Sequence, residues 1–81
     1  MQAPSIKPTC GRIVHFVPTP GQPEAANGAK VIPAMVIQVW GDGSLANLRC
    51  FPDSTENPTW RPSAKYSEAK EPGTWHWPAR E

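Results

Sequence analysis

Two indoles flank one imidazole in the stretch Gly73-Thr74-Trp75-His76-Trp77-Pro78. Successive side chains of an extended strand point to opposite faces, so Trp75 and Trp77 share one face and His76 takes the other. The other two tryptophans, Trp40 and Trp60, have Arg49 and Arg61 near them in the chain, with Arg12 further upstream. Indole faces stack on bases, and guanidinium groups pair bidentately with phosphate oxygens, so this mixture suits a small planar anion such as a nucleotide. The candidate ligand-binding set is Trp40, Arg49, Trp60, Arg61, Trp75, His76 and Trp77. A plainer reading of the same residues has Trp75 and Trp77 closing a small core while the arginines cover its rim.

Catalytic chemistry finds less support. The chain has no G-x-S-x-G, no H-E-x-x-H, no phosphate-cradling P-loop and no dinucleotide-binding glycine pattern. His15 and His76 would make a general acid/base pair if the first and last strands are neighbours, and a phosphodiesterase would be the enzyme to suspect. A histidine in a strand is more commonly structural, so a non-enzymatic reading is preferred. Asp42 and Asp53 fall in turns, where aspartate caps its own backbone. Cys10 and Cys50, with His15 and His76, make a nominal zinc set, yet no C-x-x-C or H-x-x-x-H spacing supports it. Neither a metal nor another cofactor is expected. A Cys10–Cys50 disulfide would contribute on the order of 4 kcal/mol in an oxidising compartment. Two free thiols are the preferred alternative, because residues 1–8 lack the apolar core of a secretory signal.

The elements that must position these groups are strands. Eleven prolines punctuate the 81 residues, and a proline inside a helix costs about 3 kcal/mol. Only residues 34–51 form a long proline-free window, and its period is that of a strand, with Met35, Ile37 and Val39 alternating with Val36, Gln38 and Trp40. Gly41-Asp42-Gly43 interrupts before Leu45–Phe51 resumes, which predicts a β-hairpin. Upstream, residues 1–9 read as a proline-spaced, extended and partly mobile arm, and Arg12–Val17 as the first strand. Residues 18–29 and 52–58 read as polar loops with little to bury. A fourth strand over Thr59–Tyr66 contains Pro62, which suits a sheet edge. Ser67–Glu71 makes one helical turn at most, and Gly73–Trp77 is the last strand.

Five short strands with long loops and no helix predict an all-β fold, a small five-stranded SH3-like or OB-like barrel occupying residues 10–81. Its expected core is Ile13, Val14, Phe16, Met35, Ile37, Val39, Leu48 and Cys50. On the third strand, Ala46, Leu48 and Cys50 face inward, while Leu45, Asn47, Arg49 and Phe51 form a mixed outer face. A domain of this size buries only about 60% of its unfolded surface, so four tryptophans exceed what its core needs, and some must lie at a surface or an interface. The formal net charge of +1, with basic residues scattered along the chain, disfavours extended nucleic acid as a partner. No apolar run is long enough for a membrane span.

The segments Lys7-Pro8-Thr9-Cys10-Gly11-Arg12-Ile13-Val14-His15-Phe16 and Glu71-Pro72-Gly73-Thr74-Trp75-His76-Trp77-Pro78 together resemble a group of small uncharacterised proteins of tailed phages and prophages. The likeness covers the first and last strands only. It implies a viral accessory protein working in the host cytoplasm. Joined to the aromatic–arginine set, it leads to the expectation of a homo-oligomeric binding module that sequesters a nucleotide-derived host immune signal. The alternative is a module that binds a host or virion protein through a tryptophan-lined groove.

Overall fold

The computed structural model describes residues 3–55 and 57–79. The first two residues of the arm, Glu56 in the second loop and the last two residues of the expected domain lie outside the described residues. The strands are β1 (Ile13–Phe16), β2 (Ile32–Trp40), β3 (Leu45–Cys50), β4 (Thr59–Tyr66) and β5 (Thr74–His76). They close into one barrel in sequence order, β1-β2-β3-β4-β5, with β5 returning antiparallel to β1 and parallel to β4. Closure leaves no long free sheet edge. β1 to β4 make an antiparallel meander and β5 closes the barrel in chain order without a Greek-key crossing, nearer the SH3-like than the OB-like pattern.

The hairpin forms where the glycines permit it. Gly41 and Gly43 adopt φ of 57° and 94°, and the Asp42 carboxylate accepts the Ser44 backbone N–H at 3.0 Å. The Ser44 side-chain hydrogen bond, and then this backbone one, hold the Asp42 carboxyl below its usual range.

The core consists of Val14, Phe16, Ile32, Ala34, Val36, Ala46, Leu48, Cys50, Ala64, Tyr66 and Trp75. The inward face of β3 is as expected, with Ala46, Leu48 and Cys50 fully buried. On β2 the expected phase is wrong. Ala34 and Val36 point inward while Met35 is half-buried and Ile37 exposed. Ile32, Ala34 and Val36 take the interior, and Met35 pairs with the exposed Ile13 and Arg49. A β-bulge follows, where between Val36 and Gln38 the second strand spends one residue more than its partner, with Ile37 the extra one. A bulge reverses the alternation beyond it, so Val39 returns toward the core and packs against it half-buried. Ile13 also faces outward, because it neighbours the inward-pointing Val14 and pairs with Met35.

Pro62 does not mark a plain edge strand. The register of β3 and β4 shifts between Ala46 and Leu48, which places the surplus residue of β4 at Pro62-Ser63. Proline has no N–H to lose there, and Ser63 takes φ of 52°. The Asn47 Oδ1 accepts the Ser63 backbone N–H at 2.8 Å.

Both ends of the barrel are plugged by segments that read as inert. The proline-rich arm is docked: Pro4 and Pro8 are buried, and the Trp77 indole N–H donates to the Ile6 carbonyl at 3.0 Å. Gly43 lets the arm approach, since a Cβ there would sit 3.2 Å from Lys7 Cγ and Pro8 Cδ. At the other end the β1–β2 loop folds into an irregular 3-10 segment, Pro23–Gly28, that inserts Glu24.

Candidate functional site

The structure divides the seven candidate residues among three places. Trp40, Arg49 and Trp60 lie on the outer wall of β2-β3-β4. Arg61 is at the loop-plugged end. Trp75, His76 and Trp77 lie at the seam of β5 with β1.

The outer wall is organised by register. Ile13, Met35, Arg49 and Trp60 are successive cross-strand partners over four strands. The Arg49 guanidinium carbon sits 5.2 Å from the centre of the Trp60 ring, within the range of a cation–π contact. A second row carries Trp40, Leu45 and Lys65. Trp60 is 42% and Trp40 45% exposed. None of the five strands carries an aspartate or glutamate. Exposed indole, guanidinium and ammonium groups therefore share a wall with no carboxylate of its own strands to compete for the cations.

The two indoles do not form one pocket. Two strand spacings across and four residues along separate them by roughly 16 Å. Trp40 is held by Asn47, whose Oδ1 accepts the indole N–H at 3.2 Å. Asn47 thus serves both the bulge of β4 and the neighbouring tryptophan, a structural use that explains the polar residue on the mixed face of β3.

Arg61 is engaged elsewhere. Its Nε donates to Glu24 Oε2 at 2.5 Å and its Nη2 to Glu24 Oε1 at 2.7 Å, with a further bond from Nη2 to Gln22 Oε1 at 3.1 Å. The Thr59 hydroxyl adds a bond to Glu24 Oε2 at 2.7 Å. The Arg61 hydrogen bonds outweigh the burial of Glu24 and, helped by Thr59, bring its carboxyl down to about 2. The Cys50 thiol is pushed up to about 12, first by burial and then by the Glu24 charge. Such a thiol is a poor nucleophile. Cys10 is exposed and also unpaired. A small cleft of about 230 Å³ opens beside Gln22, Glu24 and Arg61. With the ion pair satisfied internally, this end reads as a structural clasp. Sequence reasoning missed Glu24, and a lone acid in a proline-rich loop offers no signal that it will be buried.

At the seam, Trp75 and Trp77 do share one side and His76 takes the other. Trp75 is fully buried and is one of the core's largest side chains. It meets Tyr66 edge-on at 5.0 Å and Trp77 at 5.9 Å. Its indole N–H is buried without a partner among the described residues. Trp77 is half-buried against the core, with the Arg12 guanidinium 4.9 Å from its ring centre. His15 and His76 are direct cross-strand partners, so the first and last strands are indeed neighbours. Their rings meet edge-on at 5.6 Å. Burial, then the charge of Lys70 and then that of His15, hold His76 below its usual range.

Among the described residues no group of three or more His, Cys, Asp or Glu converges to hold a metal ion. Also among them, no helix is long and apolar enough to cross a membrane. No protein-family model, curated protein or solved structure matches the chain.

Proposed function

We propose that this chain is a non-catalytic binding module whose outer wall holds a planar anionic ligand, of the small-nucleotide class, between two copies. The observation that carries the reading is the exposed Trp60 ring with the Arg49 guanidinium over it at 5.2 Å, on strands without carboxylates. A guanidinium lying over an indole keeps its in-plane N–H donors free for phosphate oxygens, while the remaining indole surface offers a stacking platform. The wall of a barrel is convex, and a small ligand needs a concave site to lose most of its hydration. A second copy facing the first would supply the missing side, and an isologous pairing would bring Trp60 and Arg49 from both. In the phage setting that the two end segments suggest, the ligand is a nucleotide-derived signal of host immunity, held and not cleaved.

Native mass spectrometry with a panel of linear and cyclic nucleotides tests this. The expected spectrum is an oligomer carrying an intact nucleotide, with the adduct lost in Trp60→Ala and Arg49→Ala. A monomer with no adduct across the panel overturns the reading. A nucleotide returned with altered mass makes the protein an enzyme.

One observation favours a second reading, a protein-binding face. Ile13, Ile37 and Phe51, with Met35 half-buried among them, extend the exposed apolar surface beyond what one base would cover. A single stoichiometric protein captured from host lysate, with no small-molecule adduct, would support that reading over the first.

A further inference from the structure

The seam of β1 and β5 carries a second constellation, on different strands from the Trp60–Arg49 pair. His15, Lys70 and His76, with Val31, Pro78 and Ala79, line a cavity of about 550 Å³. Three potentially cationic groups thus approach one another from β1, β5 and the β4–β5 loop. None of the lining residues named is acidic. Glu71, next to Lys70 in the chain, instead accepts the Ser67 hydroxyl, and Glu68 accepts the Tyr66 hydroxyl.

One polar atom of this cavity lacks a structural partner. His76 is only 6% exposed, and its Nδ1 is buried with no hydrogen-bond partner among the described residues. Buried polar atoms are nearly always satisfied, so an orphan calls for an explanation. An Nδ1 without an acceptor is better left unprotonated, which places the proton on Nε2, the nitrogen left to serve the cavity. Lys70, on the β4–β5 loop, takes φ of 59° where its backbone N–H closes a turn on the Ser67 carbonyl at 3.3 Å.

Donors converging from three elements suit a tetrahedral oxyanion with acceptor atoms in several directions better than a planar carboxylate. An anion would also offset the Lys70 charge, which disfavours the imidazolium form of His76. We propose that the His15–Lys70–His76 cavity is an oxyanion site that takes a phosphoryl group, as inorganic phosphate or as a phosphate monoester. The cavity has room for more than a free phosphate. This site is independent of the Trp60–Arg49 reading, and either can fail alone.

The test follows both imidazoles by proton–nitrogen correlation NMR from pH 5 to 8. The full chain is measured in chloride, in inorganic phosphate and in adenosine monophosphate, all at matched ionic strength. A bound oxyanion favours the protonated imidazole. His76 should therefore titrate about one unit higher with the anion present, equivalent to roughly tenfold tighter binding to the imidazolium form. An equal shift with both anions assigns free phosphate as a sufficient ligand, and a shift with the nucleotide alone assigns the monoester. Titration curves that superimpose on those in chloride overturn the proposal. Lys70→Gly separates binding from folding, because glycine accepts the backbone angle at position 70. The variant should fold at least as stably while losing at least five-fold in anion affinity. Unchanged affinity in Lys70→Gly also overturns the proposal.

Discussion

Trp75 and Trp60 are the same residue type in strands of one small barrel, yet their surroundings assign them opposite work. Trp75 sits on β5 with its whole ring inside, edge-on to Tyr66 and Trp77. Trp60 sits on the outer face of β4 with Arg49 over its ring. The arginines divide in the same way. Arg61 is held by Glu24 at the barrel end, whereas Arg49 is exposed and lies over an indole. Residue type alone did not separate these cases. The register did, since one position along a strand moves a side chain from the interior to the surface.

The contrast is most easily broken from inside. Trp75→Ala should cost about 4 kcal/mol, because it empties the largest fully buried site of a thin core. Trp60→Ala should stay within about 0.5 kcal/mol of the parent. Urea denaturation of the two variants measures the difference, and comparable losses would dissolve the distinction.

The next largest effect belongs to the clasp. Glu24 is buried but its partner Arg61 is partly open to solvent, so the guanidinium left behind can hydrate and Glu24→Ala should cost about 2 kcal/mol. The pH dependence has a definite sign. The Glu24 carboxyl lies at about 2 in the folded state against an ordinary 4.5. Its contribution is therefore fully present above about pH 4.5 and is lost as pH falls toward 2. With Arg61 partly open to solvent, that contribution is on the order of 2 kcal/mol. Acid titration of thermal stability should show this loss in the parent and lack it in Glu24→Gln.

Smaller still is the role of Asn47, which joins the β4 bulge to Trp40. Asn47→Ala should cost about 1 kcal/mol and release the Trp40 side chain. A shift of the Trp40 indole N–H resonance toward that of a solvated indole would confirm the release. Arg49→Ala, the smallest perturbation of the fold, should leave the melting temperature nearly unchanged and alter Trp60 fluorescence by removing the overlying guanidinium.

Much of this architecture is legible in the chain because its signals are local. The prolines exclude long helices, Gly41-Asp42-Gly43-Ser44 carries its own turn chemistry, and the alternation of Ala46, Leu48 and Cys50 points to the interior. The pairing of His15 with His76 follows once the first and last strands are taken as neighbours. What stayed hidden depends on contacts between distant segments. On β2 apolar residues occupy both faces, so Met35 and Ile37 read as core, and no residue type announces the bulge at Ile37 that returns Val39 toward the interior. Pro62-Ser63 was a visible interruption, but a bulge and an edge share that signal. The docking of the arm depends on the Trp77 indole meeting the Ile6 carbonyl, 71 residues apart. The burial of Glu24 depends on Arg61, 37 residues away. The candidate site was scattered for the same reason. Its residue types were suitable, but proximity in sequence could not say that Arg61 belongs to Glu24 and Trp75 to the core.

The most direct measurement is a nucleotide titration followed through the four indole N–H resonances of the uniformly labelled protein. The account predicts that Trp60 moves most, that Trp75 stays fixed in the core, and that Arg49→Ala abolishes the Trp60 shift. Movement confined to Trp75 and Trp77, or four resonances unmoved by every nucleotide, would contradict it.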